Sequence, residues 1–178
     1  MAFYQALDFH DGEKMIQKKL RVPEMDNPTI PMLSPQASSM LQRAPLLAFG
    51  TLDSEGRPWT TVWGGRKGFS QPLGNSMIGI RTSVASRLDP VVEELVGRNA
   101  KGEIVKEEGE GRLLSGLAID LDTRKRVKLA GRMVAGALDS TNEEDGTDDY
   151  GQQGVLQLVA RIDESLGVFK SIRRCSSQ

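Results

Sequence analysis

The chain has 178 residues, 38% of them hydrophobic and 26% charged, with a formal net charge of −1. That size supports one well-buried domain, and a near-neutral balance supplies no bulk attraction to nucleic acid or to an anionic membrane. The single cysteine, Cys175, excludes an internal disulfide and a cysteine-built metal cluster, and no apolar run approaches the roughly 20 residues of a spanning helix.

In chain order, the N-terminus carries no basic-then-apolar leader, so a cytoplasmic address is expected. Residues 10–20 have the pattern of a short amphipathic helix, and 22–31 read as an extended, Pro-rich connector. Ser34-Pro35 supplies an N-cap and a proline at the first position of a second helix over 35–43, which Pro45 stops. The run 46–52 has strand composition, and Asp53-Ser54-Glu55-Gly56 has turn chemistry, so 58–65 is expected to return antiparallel to it as the first hairpin.

Residues 72–75 read as a loop and 76–82 as a short strand. Asp89-Pro90 caps a helix with Val91, Val92 and Leu95 on one face, ended by Gly97. The charged, Gly-punctuated stretch 98–111 reads as a solvent loop, and 113–121 and 125–138 form a second hairpin about Asp122-Thr123. Residues 141–150 hold five carboxylates without the ligand spacing of a calcium loop, and 155–162 is the last clear strand. The expectation is a mainly β protein, a six-stranded antiparallel barrel with short helices: a helical preamble over 1–45, the barrel over 46–167 and a polar tail over 168–178.

No GxGxxG or GxxxxGK[ST] pattern opens a helix after a strand, and no serine lies in GxSxG. His10, the only histidine, is expected to be a surface or packing residue, so neither a His-centred triad nor a multi-histidine metal site is expected. Cations and hydroxyls remain. Arg81, Thr82, Ser83, Ser86 and Arg87 gather where a strand gives way to a helix. They suit a phosphate dianion held by guanidinium forks and helix-start amides, or equally a solvated surface with capping serines. Arg124, Arg126, Lys128 and Arg132 share one face of a strand, opposite Val127 and Leu129, where they can meet a phosphate, a partner subunit or water. Trp59 and Trp63 fall on one side of the first hairpin and need no ligand if they are core, yet Trp63 abuts Gly64-Gly65, where bare backbone lets a planar ligand approach.

The order LLAFGTLDSEGRPWTTVWGG, IGIRTSVASRLDP, GLAIDLDTRKRVKLAGR, LQLVARIDESLG, spanning about residues 8–167, resembles the pyridoxamine 5'-phosphate oxidase-like family of FMN-binding split barrels, in its fungal and bacterial branch of uncertain substrate. The resemblance implies a homodimer with FMN in a groove between subunits. It implies that Thr60, Thr61, Val62, Trp63 and Gly64 run beside the flavin, that Arg81, Thr82, Ser86 and Arg87 reach the phosphate, and that Lys128 joins from the neighbouring strand or subunit. It further implies an oxidoreductase acting on a small organic molecule with a small-molecule electron donor, or a flavin- or ligand-binding module without turnover. No catalytic residue and no metal ligand is singled out. The chain lacks the C-terminal arginine-histidine segment of pyridoxamine phosphate oxidases proper, so vitamin B6 oxidation is not expected. The Gly64 and Gly65 amides with Arg66 or Lys67 are the expected stabilisers of an anionic reduced flavin.

Overall fold

The first hairpin is built around one carboxylate in the computed structural model, which describes residues 6–23, 25–74, 76–85, 88–97, 102–140 and 153–168. β2 (Leu46–Leu52) pairs with β3 (Pro58–Gly64) from Leu46↔Gly64 to Leu52↔Pro58. In the turn, Asp53 accepts from the amides of Glu55 (2.9 Å) and Arg57 (2.8 Å), from Arg57 Nε (2.7 Å) and from Trp59 Nε1 (3.0 Å). Gly56, at φ 76°, supplies the left-handed residue this turn needs.

Burial of Asp53 raises its pKa, but the Arg57 side chain and amide, Trp59 and the Glu55 amide outweigh it and hold the carboxyl well below the usual carboxylate range. A depressed folded-state pKa stabilises fully above the unfolded value, near about 3.9, and that contribution is lost as pH falls toward the folded value. Asp53→Asn is therefore expected to melt below the wild type at pH 7, with the gap closing as pH drops under about 4. Melting curves from pH 7 to pH 3 check this, and a constant gap would contradict it.

The second hairpin follows the same logic. β7 (Leu113–Asp120) pairs with β8 (Lys125–Ser140), and Asp120 accepts from Thr123 Oγ1 (2.7 Å) and from the Asp122 and Thr123 amides at the turn. β8 continues against β9 (Gln153–Val168), the longest ladder of the sheet, which β5 (Met77–Ala85) joins on its other side. The order is β3-β2-β7-β8-β9-β5-β4, with β4 spanning Ser70–Gly74; β1 (Thr29–Ile30) adds to β9 and β6 (Val105–Lys106) to β8. All pairings among the described strands are antiparallel.

Among the described residues strands therefore number nine rather than six. The six expected from sequence are all present. The three additional ones are two-residue β1 and β6, too short to show periodicity, and β4, whose Pro72 and Gly74 read as loop. At the sheet's edge a proline without an N–H is tolerated, and a register shift between Pro72 and Gly74 absorbs it. β9 starts two residues before and runs six beyond the expected 155–162, because a bulge at Asp163 breaks the alternation while Ser165, 1% exposed, holds the extension in place. Its hydroxyl donates to the Met32 carbonyl (2.6 Å) and accepts from the Ser34 amide (3.0 Å), fastening the entry to α2 (Pro35–Leu41).

Inside the curl, Leu47, Phe49, Ile78, Leu138, Leu156 and Leu158 are buried, with the Trp63 ring stacked on Phe49 at 4.9 Å. α3 (Pro90–Val96) closes one side with Val91, Val92, Leu95 and Val96. The outer ends of the sheet do not zip by a backbone ladder. Where β3 meets β5, Thr82 Oγ1 donates to the Gly64 carbonyl at 2.6 Å, which leaves a split barrel. His10 caps α1 (Asp11–Lys19): its Nδ1 accepts from the Gly12 amide (3.1 Å), and Glu13 Oε2 accepts from the His10 amide (2.9 Å). No helix among the described residues is long and apolar enough to cross a membrane.

Candidate functional site

The split between β3 and β5 opens a cleft of about 310 Å³, lined by Thr61 to Gly64, Ser83 to Ala85, and Leu88 to Pro90. Alternation along β3 sends Thr61 and Trp63 inward and leaves Val62, 62% exposed, on the outer side. Asp89 organises the inner wall. Its Oδ2 accepts from Thr61 Oγ1 (2.8 Å) and Trp63 Nε1 (2.9 Å), and its Oδ1 from the Val91 (2.9 Å) and Val92 (3.3 Å) amides. One carboxylate thus ends α3 and ties it to β3. Both oxygens are engaged, which leaves Asp89 without a lone pair directed at a ligand through its strongest acceptor positions.

This arrangement corrects two expectations. The helix-start amides are not free for a phosphate: Pro90 has none, Val91 and Val92 serve Asp89 Oδ1, and Glu93 donates to the Asp89 carbonyl at 3.1 Å. The Gly65 amide is also spent, on the Pro45 carbonyl at 3.1 Å, so it does not face a reduced flavin. Gly65 has a packing reason instead, since a Cβ there would lie 2.6 Å from Phe69 Cβ. Arg66 and Lys67 are exposed.

The ten candidate residues fall into separate places. Thr61, Val62, Trp63 and Gly64 line the cleft, with Trp63 2% exposed and its N–H committed to Asp89. Thr82 points inward, 5% exposed, and closes the split through Gly64. Arg81 lies on the opposite, outer face of β5, in the row that continues to Ser83; its side chain is exposed, and its guanidinium makes no ion pair or hydrogen bond among the described residues. On its other side opens a groove of about 610 Å³. Thr60 and Lys128 share a third depression of about 300 Å³, where Gly50, between the Ser115 and Thr60 hydroxyls, leaves a dent. Ser86 and Arg87 lie outside the described residues, as do Cys175 and 141–150.

On β8, Arg126 and Lys128 face out and Val127 and Leu129 in, as the period of two requires. Arg132 is held by Glu110 (3.2 Å), Asp163 (3.8 Å) and the Gly111 carbonyl (3.3 Å). Asp89 is the site residue that sequence reasoning missed in this role: its capping was legible from Asp-Pro, but bonds to partners 26 and 28 residues away were not. Among the described residues no group of His, Cys, Asp and Glu is placed to hold a metal ion.

No family model matches the chain, and no curated protein does. Solved structures similar to it include an F420 reductase (11% identity, TM-score 0.42, covering 72% of this chain and 94% of that one). A pyridoxamine 5'-phosphate oxidase-related, FMN-binding protein of Nostoc punctiforme is 12% identical, with a TM-score of 0.38 over 71% of this chain and 81% of its own. The haem storage protein HutZ of Vibrio cholerae is 12% identical, with a TM-score of 0.35 over 78% of this chain and 96% of its own. With these TM-scores below 0.5, the functional reading rests on the residues of this chain.

Proposed function

We propose that the chain is an FMN-binding protein of the pyridoxamine 5'-phosphate oxidase-like family and works as a homodimeric oxidoreductase on a small organic molecule. The observation that carries this reading is Arg81: an unengaged guanidinium on the outer row of β5, two residues along the strand from Ser83, which lines the open β3/β5 cleft. A guanidinium fork next to a hydroxyl suits a phosphate, and bare Gly64 with the exposed Val62 offers a flat approach for a ring. Bound there, FMN would supply hydride or electron exchange at its ring, chemistry that asks the protein only for binding, orientation and electrostatic tuning.

Each residue has a part in that reading. Arg81 and Ser83 hold the phosphate, with Ser86 and Arg87 following them in the chain. Thr61, Trp63 and Thr82 serve through structure, keeping β3 in place by way of Asp89 and Gly64. Thr60 and Lys128 stand in a different depression of the same copy, so they serve the flavin of the partner copy. Val62 and Leu88, 62% and 60% exposed at the mouth of the cleft, are the apolar surface the second copy covers.

Arg81→Ala is expected to weaken FMN binding by about 1.5 to 3 kcal/mol, the range of a charge-assisted hydrogen bond. Titration of the apoprotein with FMN, followed by flavin fluorescence, measures it, and an unchanged affinity would overturn the phosphate assignment. A saturated Asp89 leaves the cleft, among the described residues, without a free side-chain acid or base, an observation that also suits a flavin carrier without turnover. Bleaching of bound FMN by reduced nicotinamide, with recovery on adding an acceptor, separates the enzyme from the carrier.

A further inference from the structure

A groove of about 610 Å³, larger than the β3/β5 cleft, lies on the outer face of β4, β5, β9 and β8. Register explains its shape. One cross-strand row runs Gln71↔Gly79↔Val159↔Ala135, and the next runs Arg81↔Gln157↔Ala137. Outward positions that carry bulky side chains elsewhere in the sheet here carry a methyl or an isopropyl group, with Leu73 packed over Gly79 at one margin, so the surface forms a shelf. β6 pairs with β8 at Val105↔Gly136 and Lys106↔Ala135, bringing the preceding Ile104, 65% exposed, to the far margin of the shelf.

Two primary amides flank this shelf. Gln71 and Gln157 are exposed and line the groove, and their side-chain amides make no hydrogen bond among the described residues. An apolar floor with a few unengaged polar groups at its margins, in a volume within the roughly 300 to 1,000 Å³ of small-molecule pockets, is the usual form of a ligand site. A carboxamide both donates and accepts, so a pair of them matches a ring edge that alternates N–H and C=O. The floor supplies affinity through apolar contact, and the amides supply orientation, because their bonds to a ligand replace bonds to water.

We propose that this groove is a second small-molecule site, taking an uncharged planar heteroaromatic with a lactam or carboxamide edge. The ring lies on Ala135, Ala137 and Val159, and its polar edge meets Gln71 and Gln157. The proposal does not rest on the flavin reading: Arg81, opposite Gln157, also lines the groove, but the neutral ring edge is held by the carboxamides rather than by that charge.

6-Hydroxymethylpterin, a fluorescent lactam without phosphate, is the probe. Anisotropy of the probe is expected to rise on titration with the full chain, equally with and without saturating FMN. Gln71→Ala and Gln157→Ala are each expected to weaken pterin binding by about 3- to 10-fold, the size of one net hydrogen bond. Ala135→Phe, which fills the shelf from a partly exposed position, is expected to abolish it while leaving FMN affinity unchanged. Should Ala135→Phe fail to fold, the two glutamine variants carry the test. Absence of an anisotropy change up to the solubility limit, wild-type pterin binding in Ala135→Phe or in both glutamine variants, or displacement of the pterin by FMN would each overturn the proposal. Pterin binding by a chain that fails to bind FMN would support the groove and remove the flavin reading instead.

Discussion

Asp89→Ala is expected to lower the unfolding free energy by about 2 to 4 kcal/mol, combining the loss of a helix N-cap with that of a buried acceptor. The cap alone is worth about 1 kcal/mol, since the Val91 and Val92 amides lose their partner. The larger share comes from Trp63. Its ring is 2% exposed and its N–H has Asp89 as its acceptor, so removing the carboxylate leaves a buried donor unsatisfied at about 1 to 3 kcal/mol. Thr61, half-buried at the cleft, can turn its hydroxyl to water and adds little. Asp89→Asn retains one carbonyl acceptor and is expected to lose less than the alanine variant. Urea unfolding of the three proteins measures this; a loss under about 0.5 kcal/mol in the alanine variant, the scale of an ordinary surface change, would show that Asp89 does not hold the cleft wall.

Gly131→Ala is expected to cost about 3 kcal/mol or more, the upper end of overpacking in a core. A Cβ at this position would fall on the Arg161 carbonyl oxygen and within 3.0 Å of Ile162 Cα, both of them backbone atoms. Relief would require β8 and β9 to separate where their register already shifts, between Ala130 and Gly131, and both strands are interior to the sheet, between β7 and β5. Gly56→Ala is the control: nothing lies within 4 Å of its Cβ, so only the positive φ of 76° opposes it, at about 1 kcal/mol. Thermal unfolding of both variants, with near-ultraviolet circular dichroism to confirm folding, checks the contrast. Equal losses would mean that the bulge is free to open.

Much of this architecture is legible in one dimension because its causes are local. The two hairpins announce themselves through Asp53-Ser54-Glu55-Gly56 and Asp122-Thr123, and the helices through Ser34-Pro35 and Asp89-Pro90, each a cap or turn acting on amides two to four residues away. The inward set Val127, Leu129 and the outward set Arg126, Lys128 follow from a period of two. β4 was hidden by Pro72, whose missing N–H argues against a strand except at a sheet edge, and edge position is a property of the assembled sheet. The end of β9 was hidden by the charges around the Asp163 bulge, which locally shifts the alternation.

The candidate site divides along the same line. Residue types suited to phosphate and to a planar ring were visible as types, and Arg81 with Thr82 as a pair, but adjacent residues of a strand face opposite ways. Tertiary structure alone decided that Thr82 closes the split while Arg81 stands free, that Asp89 occupies the amides a phosphate would have used, and that Thr60 and Lys128 belong to another depression. What the sequence determined by itself was where the chain turns and which residues face the core, since dihedral preference, capping and periodicity act within a few residues. Which polar groups remain unspent depended on folding, because a hydrogen bond is claimed by whichever partner arrives within about 3 Å, and those partners come from 18 to 28 residues away.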